Sequence, residues 1–180
     1  MSLLSSSDLH DLIEQGIVEA PHSAVQPASI DVTLDRVFKL ERKPRLFQRK
    51  FVTTDGRMTP NFTTHNGSVV VPKNGFCIGA IREMIRLPNW LKCGFVLNST
   101  AARSGLDHAL AVWIDPGFEG RITVEFKNNL NYHNLLLRAG DRAGQLFFEF
   151  VEPGDSYNGR YQGDNGVQVP KVRKDCEERC

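Results

Sequence analysis

Apolar residues change their spacing once along this chain. Leu9, Leu12 and Ile13 recur at helical intervals before Gly16, with Ser5 and Asp8 placed as a capping box and Leu4 and Leu9 spaced as a staple. That spacing predicts one short amphipathic helix near the start. Beyond it the period becomes two: Ile30, Val32 and Leu34 alternate with Asp31, Thr33 and Asp35, the pattern of a strand with one face in water. Further strands are expected over Gly67 to Val71, Gly75 to Ile81, Cys93 to Leu97, Gly120 to Phe126, Asn134 to Leu137 and Gly144 to Val151, each bounded by Pro, Gly or Asn. Many short strands with little helix predict an all-β barrel or sandwich. Arg42 to His65 is polar and poorly periodic, and reads either as a long hairpin excursion or as a mobile loop over a site. From Tyr157 onward, Gly159, Gly163, Gly166 and Pro170 make the chain too glycine-rich for a packed strand, so it reads as an arm.

Composition narrows the class. With 180 residues, 41% hydrophobic and 24% charged, the chain suits one folded domain. Lys and Arg number 22 against 21 for Asp and Glu, a net charge of +1, so no global field attracts nucleic acid or an anionic membrane. The longest apolar run, Ala109 to Ile114, is far short of the roughly 20 residues that span a bilayer. A soluble, cytoplasmic protein is expected, without nucleic-acid or membrane partners. Cys77 and Cys93 sit in apolar segments and read as small buried hydrophobes, while Cys176 and Cys180 lie in a charged tail and offer half a zinc site at most.

Familiar catalytic signatures are missing. There is no H-E-x-x-H, no H-x-E with P-C-x-x-C, no G-x-S-x-G, and no Walker or G-x-G-x-x-G phosphate loop. Two stretches stand out instead. Leu97-Asn98-Ser99-Thr100-Ala101-Ala102-Arg103-Ser104-Gly105-Leu106 gathers hydroxyls, an amide and a guanidinium between two strand-like segments, a turn able to hold phosphate oxygens. Ile114-Asp115-Pro116-Gly117 then leads through Phe118 to the strand containing Glu125. Ile122, Val124 and Phe126 share one face there, which puts Thr123 and Glu125 on the other; periodicity alone makes that face solvent, and Asp115 alone is a turn former.

Taken together, these segments resemble the deoxycytidine triphosphate deaminase branch of the trimeric dUTPase superfamily over almost the whole chain. Gln26-Pro27-Ala28-Ser29-Ile30-Asp31-Val32-Thr33-Leu34 is similar to its Gln-Pro-Ala-Ser signature, and Ser99 to Leu106 to its Ser-Ser-x-x-Arg-x-Gly-Leu segment. Ile114 to Phe126 resembles its Ile-Asp-Pro-Gly…Glu-Phe strand, and Gly159-Arg160-Tyr161-Gln162-Gly163 its closing arm. The resemblance implies a single domain over 1–180, a distorted jelly-roll β-barrel with a helix and lead-in over 1–20 and a flexible C-terminal arm over 155–180. It implies a homotrimer with intersubunit active sites, the arm folding over bound nucleotide.

The activity implied is zinc-free hydrolytic deamination of a cytosine deoxynucleotide, dCTP to dUTP and ammonia. Glu125 would be the general acid/base, and Arg103 and Ser99 would orient it and keep it ionised. The Ala111 carbonyl would meet the cytosine amino group, Asp115 the 3′-hydroxyl, Thr100 and Arg160 the phosphates, and Tyr157 the sugar. Asn98, Gln162 and Asp164 complete the binding set, and Mg2+ would ride on the triphosphate. Alternatives from the same superfamily are dUTP hydrolysis, alone or combined with deamination, with Asp115 activating water. Others are deamination of a modified or monophosphate cytosine nucleotide, and a non-catalytic nucleotide-binding regulator, against which Glu125, Arg103 and Ser99 speak. The chain departs from the family at Asn98, where an arginine grips phosphate, at Leu97 in place of glycine, and at Asp164 in place of glutamine. The amide at Asn98 forgoes a charge-assisted fork worth about 1.5–3 kcal/mol per bond.

Overall fold

The structure is a computed structural model describing residues 3–44, 51–109 and 113–172. Helix α1 spans Ser6–Glu14. Ser5 Oγ accepts from the Asp8 amide at 3.4 Å while the Ser5 amide donates to the Asp8 carboxylate at 2.8 Å, so the expected capping box is formed. Leu9 and Leu12 are buried and Ile13 packs beside them, as the helical spacing requires.

A single 3-10 turn (His22–Ala24) leads into an all-antiparallel array. The strands are β1 (Val25–Gln26), β2 (Ser29–Thr33), β3 (Val37–Glu41), β4 (Phe62–Asn66), β5 (Ser68–Val71), β6 (Phe76–Ala80), β7 (Ile85–Arg86) and β8 (Leu91–Leu97). After α2 (Ser99–Arg103) follow β9 (Leu106–His108), β10 (Trp113–Ile114), β11 (Glu119–Gly120), β12 (Thr123–Asn128), β13 (Leu135–Arg138) and β14 (Arg142–Phe150). One five-stranded sheet runs β1-β2-β14-β8-β10 and the other β4-β3-β6-β12-β9, with pairs β11-β7 and β13-β5 completing a distorted jelly-roll barrel. Phe38, Phe126, Phe148, Ile30 and Leu146 fill its interior, each fully buried. Cys77 and Cys93 belong to the same core, as their apolar context implies, and burial pushes the Cys77 thiol up to about 12, leaving little thiolate for chemistry. Cys176 and Cys180 lie outside the described residues.

Three expectations are corrected. The polar face of β2 is not wet: Asp31 is buried, accepting from Arg142 Nη1 at 2.7 Å and Gln26 Nε2 at 2.9 Å, while Ser29 Oγ donates to Gln145 Oε1 at 3.2 Å. The Gln-Pro-Ala-Ser-Ile-Asp signature thus ties β1 and β2 to β14. The strand expected over Gly120 to Phe126 is broken, because Gly120 takes φ +150° and the pairing partner changes from β7 to β6 after it. The turn expected between Leu97 and Leu106 is a short helix. Asn98 caps it by accepting from the Ala101 amide at 2.8 Å and donating to the Arg142 carbonyl.

Arg42 to His65 leaves β3 and returns into β4, which pairs with β3 from Val37 opposite Asn66 to Glu41 opposite Phe62; residues 45–50 of this segment lie outside the described residues. Its returning limb from residue 51 runs alongside the cavity described below.

The Asp31 cluster is unequal in its exposure, and that inequality ranks two substitutions. Arg142 is 62% exposed and can be rehydrated, whereas Asp31 is 10% exposed. Arg142→Ala strands a buried charge and is expected to cost about 2–4 kcal/mol. Asp31→Asn removes that charge and should cost only about 1 kcal/mol. Urea unfolding at pH 7 checks the ranking; the reverse order would contradict it.

Candidate functional site

A recess among the described residues has a volume of about 560 Å³. Its floor is the outward face of β12 and β6. Val124, Phe126 and Asn128 point into the core, so Thr123 and Glu125 point the other way, and Glu125 stands opposite Ile78 in the strand register. Phe62 of β4 and Phe76 of β6, with ring centroids 6.4 Å apart, make an apolar wall. Val52, Thr53, Met58 and Pro60 of the returning limb continue it. The Trp113–Phe118 turn supplies a third side that includes Asp115.

The arm closes the recess. Its backbone is stitched to the same chain: Tyr157 N donates to the Pro116 carbonyl at 2.7 Å, Gly163 N to the Glu119 carbonyl at 2.8 Å, and Arg121 N to the Asp164 carbonyl at 2.8 Å. Gly120 permits this approach, since a Cβ there would lie 2.6 Å from the Asp164 carbonyl oxygen. Farther along, Gln168 N donates to Thr123 Oγ1 at 3.0 Å. Tyr157, Tyr161, Asp164 and Gln168 thereby join the lining, and the Tyr157 ring meets Phe118 edge-on at 5.8 Å.

Electrostatically, Glu125 is the unusual member. Withdrawal from water raises its carboxyl above the ordinary glutamate value of 4.5, opposed only in part by its own backbone amide. A carboxylate poised in this way is a stronger base than a solvated one and a better proton donor once protonated. Arg121 also lines the cavity; its Nη1 is 3.5 Å from Asp35, and its Nε is a buried donor without a partner among the described residues.

Of the residues singled out in the sequence, the single chain brings Glu125, Asp115, Tyr157 and Asp164 together around this cavity. Gln162 and Arg160 belong to the closing arm and have structural partners: Gln162 Nε2 donates to the Gly117 carbonyl at 2.9 Å, and Arg160 Nη1 to the Lys171 carbonyl at 2.6 Å. Ser99, Thr100 and Arg103 lie exposed on α2 and do not line the cavity, and Asn98 is spent on capping that helix. Within one chain, therefore, no guanidinium of α2 stands beside Glu125. Ala111 lies outside the described residues. The aromatic wall and the returning limb were missed by sequence reasoning, apart from the uncommitted reading of Arg42 to His65 as a loop over a site.

Among the described residues no group of three or more His, Cys, Asp or Glu side chains is arranged to hold a metal. Among them, too, no helix is long and apolar enough to cross a membrane.

Residues 3–151 match the family described as dCTP deaminase-like. The dUMP-forming dCTP deaminase of Persephonella marina is 33% identical over 185 residues, spanning 94% of this chain and 97% of its own length. That of Thermobifida fusca is 34% identical over 185 residues, spanning 91% and 89%. The crystal structure of 2′-deoxycytidine 5′-triphosphate deaminase from Agrobacterium tumefaciens has a similar fold, with a TM-score of 0.64 at 19% identity over 83% of this chain; the chain spans 48% of that one.

Glu125 carries a signed stability effect. Its folded-state pKa lies above the unfolded value, so the native form holds its proton more tightly and stability is lost as pH rises from 4.5 through the raised value. Glu125→Gln should therefore raise the melting temperature at pH 7, and the gain should disappear below the ordinary glutamate range. Calorimetry across that span tests this, and a variant less stable than wild type at pH 7 would contradict it.

Proposed function

The chain belongs to the dCTP deaminase-like family, and we propose that it hydrolyses the exocyclic amino group of dCTP and releases dUMP. The observation that carries the reading is Glu125: a half-buried carboxylate with a raised pKa on the floor of a cavity closed by an aromatic wall and an arm. Attack on C4 of cytosine needs a group that takes a proton from water, delivers one to N3 and then assists departure of ammonia. One carboxylate serves all three steps if its pKa lies near enough to neutrality to trade protons in both directions. The balance for this step is dCTP plus water giving dUTP plus ammonia.

Release of dUMP needs a second water at the α-phosphorus, with pyrophosphate leaving. Asp115, on the rim of the same cavity, is the carboxylate we assign to that step. The sequence reading favoured dUTP as the product and held the combined reaction as an alternative. Relatives named as dUMP-forming, covering nearly the full chain, now favour the combined reaction. Mg2+ enters as part of the substrate, on the triphosphate.

We further assign the site to the junction of subunits in a homotrimer, as the family resemblance implies. Glu125 and Asp115 lie at the cavity, but Ser99, Thr100 and Arg103 are exposed elsewhere on the same chain. The two halves of the expected site meet only if α2 of a second copy covers the cavity. There Arg103 would orient Glu125 and leave it ionised at neutral pH while burial still keeps its pKa above the ordinary value, Ser99 would orient the water, and Thr100 would receive phosphate. Asn98 supports α2 instead of gripping phosphate.

Ammonia and pyrophosphate measured together on purified protein test this function. Equal amounts of both from dCTP are expected, with deoxyuridine monophosphate as the nucleotide product. Glu125→Gln should abolish ammonia release while retaining dCTP binding. Ammonia with dUTP accumulation would restore the simpler product, and absence of ammonia at any pH would refute deamination.

A further inference from the structure

Contacts within the arm converge on Lys171. Its Nζ donates to both carboxylate oxygens of Asp164, at 2.8 and 2.9 Å, and to the Arg160 carbonyl at 2.9 Å. Arg160 returns the contact through Nη1 to the Lys171 carbonyl at 2.6 Å, and the Lys171 amide donates to the Tyr161 hydroxyl at 3.3 Å. Both cations lie by the Tyr161 ring, Lys171 Nζ at 5.1 Å and the Arg160 guanidinium carbon at 5.5 Å from its centroid. The returning limb presses on the same point: Gly56, at φ +84°, has no room for a side chain, since a Cβ would lie 2.5 Å from the Lys171 carbonyl oxygen. One residue thus joins the two segments that flank the cavity.

Charge gives that junction a purpose. Asp164, only 13% exposed, lines the cavity with Glu125 and Asp115, so three carboxylates face the space a nucleoside triphosphate would enter. An uncompensated Asp164 would repel the phosphates at short range, where like charges cost most. Arg121, a cation on the wall, has Asp35 as its carboxylate neighbour. Lys171 pairs with both oxygens of Asp164 and so offsets its charge.

From these contacts we infer that Lys171 is a positioning residue for the reaction. It holds Asp164 and Tyr161 in the cavity wall and cancels the charge that would otherwise oppose substrate binding. This rests on the dCTP reading given above, and nothing in that reading assigns Lys171 a role.

The test uses the full-length chain with Lys171→Met, Lys171→Arg, Asp164→Asn and the Asp164→Asn/Lys171→Met pair. Lys171→Met should raise KM for dCTP about tenfold with kcat within about threefold of wild type, the signature of lost charge compensation rather than lost chemistry. Lys171→Arg should restore KM. In the double variant Asp164 no longer carries the charge, so KM should fall below that of Lys171→Met alone, a coupling that a merely structural residue would not show. Amide hydrogen exchange without nucleotide should also quicken over 160–171 in Lys171→Met. Unchanged KM overturns the positioning role even if exchange quickens, as does a double variant whose KM is the product of the single effects; unchanged exchange overturns the clasp itself. Exchange needs no turnover, so a protein inactive on dCTP would refute the deamination reading while the clasp is still judged.

Discussion

The site depends on the register of β12. Five consecutive residues of this strand, Thr123 to Lys127, pair with β6, and the two-residue period then allows only one arrangement: Val124 and Phe126 in the core, Glu125 on the opposite face against Ile78. Shifting the pairing by one residue would bury the carboxylate in the barrel and expose two core side chains. Packing of the apolar positions therefore fixes the aim of the reactive one, and the site inherits the rigidity of the core.

Shielding from water is then added by segments far apart in sequence. The excursion between β3 and β4 brings Val52, Met58, Pro60 and Phe62 to one side, and the arm brings Tyr157, Tyr161 and Asp164 to the other. The excursion is anchored by the pairing of β3 with β4, and the arm by backbone hydrogen bonds to the Pro116–Arg121 region and by the Arg160–Lys171 exchange. Desolvation that raises the Glu125 pKa comes from this enclosure, so the cost of burying a carboxylate is borne where it is useful.

Local patterns were the legible part. The capping box at Ser5, the strand class and the opposite facing of Glu125 and Phe126 all follow from spacing over a few residues, and the structure contains them. What lay beyond reach depends on long-range partners. Asp31 looked solvent-facing because nothing within its own strand reveals Arg142, more than one hundred residues later on β14, as its partner. Asn98 looked like a weakened phosphate ligand because capping is decided by the backbone path of α2 and by the Arg142 carbonyl. The aromatic wall was likewise invisible, since Phe62 and Phe76 meet only through the β4-β3-β6 order. Glu125 itself became a candidate through family resemblance, its alternation alone giving an ordinary wet face.

The account stands on Glu125 as a proton carrier inside a water-poor cavity. The most direct measurement pairs a carbon-13 titration of the Glu125 side chain with the pH dependence of ammonia release from dCTP. The titration should fall above the ordinary value of 4.5, and kcat/KM should decline on the acid side over the range in which Glu125 takes up its proton. A Glu125 that titrates as a solvated glutamate, with an acid limb set by some other group, would contradict it.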